Sequence, residues 1–244
     1  MKQYDIKLLI LSRGRSDAVS TANLLPDWVE MLVPVSEVEE YTKRYANPIL
    51  TIPDEIMGLG PVRNWVLDNF KENIVIMIDD DIKTMYCISG LHARAITDKE
   101  EFVQILINTA VMAEDAGLHC FGYSQTDIRK YNGTEPFKLV GWVGCIIGVI
   151  GRKFRFRDDK FKVDIDYCLK CMLVDRVIWI DNRYYCIQQR DNNKGGNSAF
   201  RTQEEYQKSL NSLLEKWKGW LTTSENRSQV SIKTHIKRKQ EIKL

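Results

Sequence analysis

Along the first half of the chain, apolar and polar residues fall into short alternating blocks that predict strands and helices in turn. Residues 6–11 form a compact apolar strand, followed by the polar loop Ser12-Arg13-Gly14-Arg15-Ser16. Residues 18–25 predict a helix stopped by Pro26, and residues 29–35 a second strand. Residues 36–45 predict a helix in which Ser36 and Glu39 have capping-box spacing. Residues 48–52 give a third strand. The glycine-rich run Gly58-Leu59-Gly60-Pro61-Val62-Arg63-Asn64 then opens a helix reaching about Phe70, with proline near its first turn. The uninterrupted apolar run Ile74-Val75-Ile76-Met77-Ile78 has the pattern of a strand buried on both faces, and it leads directly into Asp79-Asp80-Asp81.

The second half is patterned more loosely. Residues 98–116 predict a helix, and residues 118–123 and 139–150 predict strands. Between 153 and 162, Lys153, Arg155, Arg157, Lys160 and Lys162 interleave with Phe154, Phe156 and Phe161. Asp164 and Asp166 open a helix running to about Val174. Short strands are expected at 177–180 and 184–188, a polar loop with Gly195-Gly196 at 191–198, and an amphipathic helix at 203–220. The alternation of strand and helix predicts an α/β fold with flanking helices, followed by a C-terminal helix and a basic tail.

Bulk properties narrow this picture only slightly. The 244 residues suit one large domain or a domain with a small appendage, and a hydrophobic content of 44% with 28% charged residues is ordinary for a folded soluble protein. A net charge of +2 points to no partner. The longest uncharged apolar stretch, residues 139–151, is shorter than the roughly 20 residues a membrane span needs. With no signal-peptide pattern at Met1, a cytoplasmic protein is expected. The six cysteines mostly lie in apolar runs, as reduced core thiols do, and Cys168-x-x-Cys171 has no second ligand pair at zinc-site spacing.

Candidate chemistry gathers at the strand ends. Three adjacent carboxylates repel one another, and a divalent cation relieves that repulsion; hard oxygen ligands favour Mg²⁺ or Mn²⁺. In an extended chain Asp79 and Asp81 lie on one side, an Asp-x-Asp arrangement at the carboxyl end of a strand, where open α/β sheets bind ligands. Arg13 and Arg15 follow the first strand and suit phosphate through the guanidinium fork. The helix opening at Gly58 offers backbone N–H groups to an anion, with Arg63 one turn inside. Asp164 or Asp166 has the chemistry of a base for an attacking hydroxyl, although acids in a first helical turn often serve only as caps. Lys194, in a glycine-containing loop, has the setting of a mobile lid. The mixture at 153–162 resembles nucleic-acid-binding surfaces, and residues 227–244 carry six Lys or Arg against one Glu.

Taken in order, Ser12-Arg13-Gly14-Arg15, the Gly58-to-Asn64 helix opening, Ile78-Asp79-Asp80-Asp81 and the later Asp164/Asp166 pair resemble a glycosyltransferase of the GT-A fold over about residues 5–190. More narrowly, the chain resembles the TET/JBP-associated glycosyltransferases, mostly phage-encoded enzymes that decorate 5-hydroxymethylpyrimidines in DNA. The resemblance implies a nucleotide-sugar donor, a UDP-sugar above all, and a divalent metal, Mn²⁺ or Mg²⁺. It implies Asp81 as metal ligand, with Asp79 at the metal or the ribose. Ser12, Arg13, Arg15, Arg63, Asn64, Asp80 and Lys194 are then donor-side residues. Asp164, or failing that Asp166, would be the base if the reaction inverts the anomeric centre. Inverting families usually carry a Glu-Asp pair where this chain has Val163-Asp164-Ile165-Asp166. The implied organisation is a glycosyltransferase domain over 1–200, with its nucleotide-sugar half at 1–82 and acceptor half at 83–200, then the helix and tail of 201–244. Both 153–162 and 227–244 would contact DNA. Other readings keep the fold and change the acceptor to a glycan, lipid-linked sugar or small molecule, or change the activity to a sugar-phosphate nucleotidyltransferase or an inactive binding module.

Overall fold

The computed structural model describes residues 5–131, 135–189 and 202–223 and the backbone of 230–231. Four parallel strands, β1 (Ile6–Leu11), β2 (Glu30–Pro34), β3 (Ile49–Ile52) and β4 (Ile74–Asp79), form one half of a ten-stranded sheet. The remaining strands are β5 (Ile82–Ser89), β6 (His92–Ala95), β7 (Cys120–Ser124), β8 (Phe137–Lys138), β9 (Ile146–Ile150) and β10 (Trp179–Gln188). The order across the sheet is β3-β2-β1-β4-β9-β7-β10-β5-β6, with β8 paired to β10. The pairs β4–β9, β9–β7 and β10–β5 are antiparallel, whereas β7–β10 is parallel, so the sheet is mixed.

Burial on both faces explains the apolar run of β4. Ile74, Ile76 and Ile78 pack into one core with Phe102, Leu106 and Ala110 of α3 (Lys99–Asp115). Val75 and Met77 pack into the other, with Val66 of α2 (Leu59–Asn69), Leu169 and Met172 of α4 (Val163–Asp175) and Leu213 of α5 (Gln203–Lys216). Asp98 caps α3 by accepting from the amides of Glu100 and Glu101. No helix among the described residues is long and apolar enough to cross a membrane.

Several expected elements take another form. Residues 18–25 make only a 3-10 turn at Ser20–Asn23, from which the Thr21 hydroxyl donates to the Asp79 carbonyl. The expected capping box does not form: the Ser36 hydroxyl donates to Asp54 Oδ1 at 2.8 Å, and the α-helix there is the short Val38–Thr42. The strand expected from 139 begins only at Ile146, since Gly141 holds φ +147. β10 is one strand where two were expected, its first half beside β7 and its second beside β5. The hairpin of β5 and β6 was not evident in the sequence pattern. All six cysteines are free thiols.

Candidate active site

The carboxyl ends of β1 and β4 lie side by side, Leu11 against Asp79 in register. The three aspartates after β4 therefore face the loop after β1, and the structure gives each a different environment. Asp80 turns inward and is 5% exposed. Its carboxylate accepts from Ser12 Oγ at 2.6 Å and from Arg15 Nη1 at 2.6 Å, while Ser12 Oγ also meets the Tyr41 hydroxyl at 2.8 Å. Burial pushes the Asp80 carboxyl up, and Arg15 and Ser12 oppose that shift. Asp80 and Ser12 thus lock one loop to the other. Thr21, unremarked in the sequence, completes the lock: it donates to the Asp79 carbonyl at 2.6 Å and accepts from Ile82 N at 3.0 Å.

Asp79 and Asp81 face outward. Arg15 Nη1 approaches Asp81 at 3.6 Å, and Arg63 Nη2 approaches Asp79 at 3.7 Å. Burial pushes the Asp79 carboxyl up to about 7, with Arg63 pulling down and Asp81, Asp80 and Asp164 pushing further. Yet 30% of its side chain is solvent-accessible, so it sits in a crowded recess open at one side. Gln188, at the end of β10, donates its amide to both acids, at 3.3 Å to Asp79 and 3.0 Å to Asp81.

Arg63 is the second unusual group. It is 1% exposed, its guanidinium lies 5.4 Å from the Phe156 ring, and its Nε and Nη1 have no hydrogen-bond partner among the described residues. A buried cation with unsatisfied donors costs free energy unless an anion or water completes it. Two outward carboxylates beside such a cation form the charge pattern of a site that takes a divalent metal together with a diphosphate. The residues present therefore fit that pair of groups, although no three His, Cys, Asp or Glu side chains among the described residues make a ready metal cage. Mg²⁺-type sites need no more than one or two carboxylates when substrate phosphates supply the rest.

Other candidates have structural employment. Arg13 donates to the carbonyls of Asp54 and Ile56 at 3.1 and 2.9 Å, bracing the loop ahead of α2. Asn64 clasps the backbone of Phe156 through both ends of its amide, at 3.0 and 2.9 Å. The start of α2 is not open to an anion as expected: Gly60 N donates to the Asp159 carbonyl at 3.1 Å, and a Cβ at Gly60 would lie 2.0 Å from the Arg157 carbonyl. Asp164 lies in the first turn of α4, near enough to Asp79 to raise its pKa. Asp166 is fully buried, in contact with Lys170 and Lys216 and accepting from Trp217 Nε1 at 2.8 Å. Burial pushes its carboxyl up, but those bonds outweigh it and hold it below the usual range. The two acids of the pair thus face different surroundings.

Part of the basic-aromatic stretch is paired within the chain, while Lys153 and Arg155 stay exposed. Arg155 pairs with Asp68, Arg157 with Asp159 and Lys160 with Glu205. Lys153 lies over Phe154 and Lys162 over Tyr206. Phe156 stacks on Tyr167 with ring centres 4.2 Å apart. Sequence composition alone does not separate such internal pairing from a binding surface, because both need cations beside rings. Lys194 and nearly all of the basic tail lie outside the described residues.

The model of the family described as TET-associated glycosyltransferase matches residues 6–196. No curated protein matches. Among solved structures, S. aureus TarS 1–349 in complex with UDP-GlcNAc aligns with a TM-score of 0.51 and 13% identity, covering 87% of this chain and 66% of that one. Glucosyl-3-phosphoglycerate synthase from Mycobacterium tuberculosis, in complex with Mn²⁺, UDP-glucose and phosphoglyceric acid, aligns at 0.51 and 11% identity, covering 93% of this chain and 86% of that one. The chain thus spans about two-thirds of the staphylococcal chain's length. At such identities the likeness establishes the fold, which is GT-A.

Proposed function

The chain belongs to the TET-associated glycosyltransferases, and from that premise we propose that it moves a sugar from a nucleotide-sugar, a UDP-sugar in the first instance, to a hydroxyl acceptor. The observation that carries the reading is the buried Arg63, with two guanidinium nitrogens unsatisfied, beside the outward carboxylates of Asp79 and Asp81. Asp79 and Asp81 would hold a divalent metal, Mn²⁺ or Mg²⁺, which supplies Lewis-acid neutralisation of the charge on the departing diphosphate. Arg63, itself 1% exposed, places fixed positive charge where the diphosphate oxygens would lie. Arg15, held by Asp80, adds a second cation at the same rim. Asp164 is the acid suited to accept the proton of the attacking hydroxyl. Asp166 is already committed to Lys170, Lys216 and Trp217 and acts as an anchor.

For the acceptor, family membership supports the hydroxymethyl group of a 5-hydroxymethylpyrimidine in DNA. Presenting that group requires a flipped or single-stranded base, at a cost of a few kcal/mol. One observation favours a second reading, a glycan or small-molecule acceptor: Arg155, Arg157 and Lys160 are engaged within the chain. The test is donor turnover across nucleotide sugars with Mn²⁺, with and without hydroxymethylated DNA, read by mass spectrometry of the nucleosides. Glycosylated nucleoside establishes the DNA reading. Donor turnover that only a saccharide or small molecule stimulates establishes the second. Full turnover in excess chelator removes the metal from the mechanism.

A further inference from the structure

Gln188 has no place in the donor and acceptor roles described so far, yet the fold goes to some length to position it. The register of β10 against β5 shifts between Ile187 and Gln188, an irregularity of the kind that re-aims a side chain at a sheet end. After the shift Gln188 pairs with Ile82, the residue next to Asp81, and Gln189 N donates to the Asp81 carbonyl at 2.9 Å. The strand end is therefore tied to the aspartate turn itself. The amide nitrogen then bridges one oxygen of Asp79 and one of Asp81. A donor that binds both carboxylates at once stands where a cation shared by them would stand.

We infer that Gln188 is the third protein ligand of the metal, its amide nitrogen holding Asp79 and Asp81 together before the metal arrives and its amide oxygen coordinating afterwards. This inference rests on the metal-dependent donor site proposed above. The exchange needs only rotation about χ3, a broad two-fold torsion, with no movement of the strand. An amide oxygen is a hard neutral ligand of the kind Mg²⁺ and Mn²⁺ accept. It also answers a deficit of the site, since Asp79 and Asp81 share the Gln188 amide but no three His, Cys, Asp or Glu side chains among the described residues are arranged to hold a metal. A neutral third ligand leaves the metal more electrophilic than a third carboxylate would. It also keeps Asp79 and Asp81 at a fixed spacing before loading.

The decisive measurement is Mn²⁺ binding to the whole protein without donor, read from loss of the free-ion EPR signal. Gln188→Leu and Gln188→Asn are compared with wild type and with Asp81→Asn. Leucine removes the amide and asparagine withdraws it by one methylene, so both are expected to raise the Mn²⁺ dissociation constant about tenfold or more. Gln188→Glu, which restores an oxygen at full reach, is expected to bind at least as tightly as wild type. Wild-type or tighter affinity in either the Leu or the Asn variant overturns the role of Gln188. The metal reading itself survives that result so long as Asp81→Asn no longer binds. Wild-type binding by Asp81→Asn overturns the metal site as a whole.

Discussion

Three consecutive aspartates with three different environments are the sharpest statement this site makes at the scale of the residue. Asp80 is a tie: Ser12 and Arg15 reach it from another loop, and all three are largely out of water. Removing it leaves Arg15 partly buried without its closest counter-ion, so Asp80→Ala is expected to lower stability by about 3–5 kcal/mol. Asp81→Asn removes a charge from a repelling group and is expected to leave the melting temperature unchanged or raised while abolishing Mn²⁺ binding. Thermal melts in chelator beside Mn²⁺ titrations check both, and equal destabilisation by the two variants would refute the division of labour. Asp79 adds a pH dependence. Its folded pKa, about 7, lies above the ordinary 3.8, so the folded protein holds a proton that the unfolded chain has released. Stability of the metal-free protein therefore falls as pH rises from about 4 to about 7. Metal must displace that proton below pH 7, so Mn²⁺ affinity is expected to rise up to about tenfold per pH unit there and to level off above it. A flat affinity from pH 5.5 to 7 would show that Asp79 holds no proton for the metal to displace in that range.

At the scale of the element, α5 does more than close the chain. Leu210 and Leu213 bury into the second core, Ser209 donates to Asp159 Oδ1 at 2.8 Å, and Lys216 and Trp217 bond to Asp166 of α4. The same 153–162 segment covers the start of α2 and, through Asn64 and Phe156, sets the place of Arg63. One helix outside the matched family region thus steadies the two elements that carry Arg63 and Asp164. Asp166→Ala orphans the buried Trp217 N–H and is expected to cost about 1–3 kcal/mol, with Mn²⁺ binding retained. Asp164→Asn is expected to leave stability intact and cut transfer by 100-fold or more with donor affinity kept. If transfer instead follows Asp166 at constant stability, the base is Asp166. Elements of this kind divide what sequence reveals from what it conceals. β1, β4 and α3 are legible because their signal is local: periodicity, and acids after an apolar run. Gln188 is not, because its partners lie about a hundred positions away and nothing in Ile187-Gln188-Gln189 announces a bulge. The pairings at 153–162 are hidden for the same reason, since contact with Asp68 and Glu205 is a tertiary fact.

At the scale of the whole molecule, one mixed sheet joins the strands expected to hold the donor to those expected to face the acceptor, and β4 meets β9 at the seam. Asp79 ends the last parallel strand there, and the amide of Cys145 is next in line, its carbonyl accepting from Asp79 N at 2.8 Å. Asp79 is therefore fixed by both halves, and Arg155, Arg157 and Lys160 are already paired with acids of the same chain. If DNA is the acceptor, the tail is the richest further source of charge for its phosphates, with Lys233, Lys237, Arg238, Lys239 and Lys243 in its last twelve residues. The slope of log affinity against log salt measures how many such cations meet phosphates, at about 0.7 per contact on a single strand. Changing those five residues to glutamine is then expected to flatten the slope by as much as about 3.5 and to weaken hydroxymethylated single-stranded DNA binding most at low salt. Mn²⁺ binding and DNA-independent donor hydrolysis should be unaltered, because the tail carries none of the acids or arginines of the donor site. An unchanged salt slope with full nucleoside glycosylation would place the DNA contacts on another surface, and a flat slope in the wild-type protein would favour the saccharide or small-molecule acceptor.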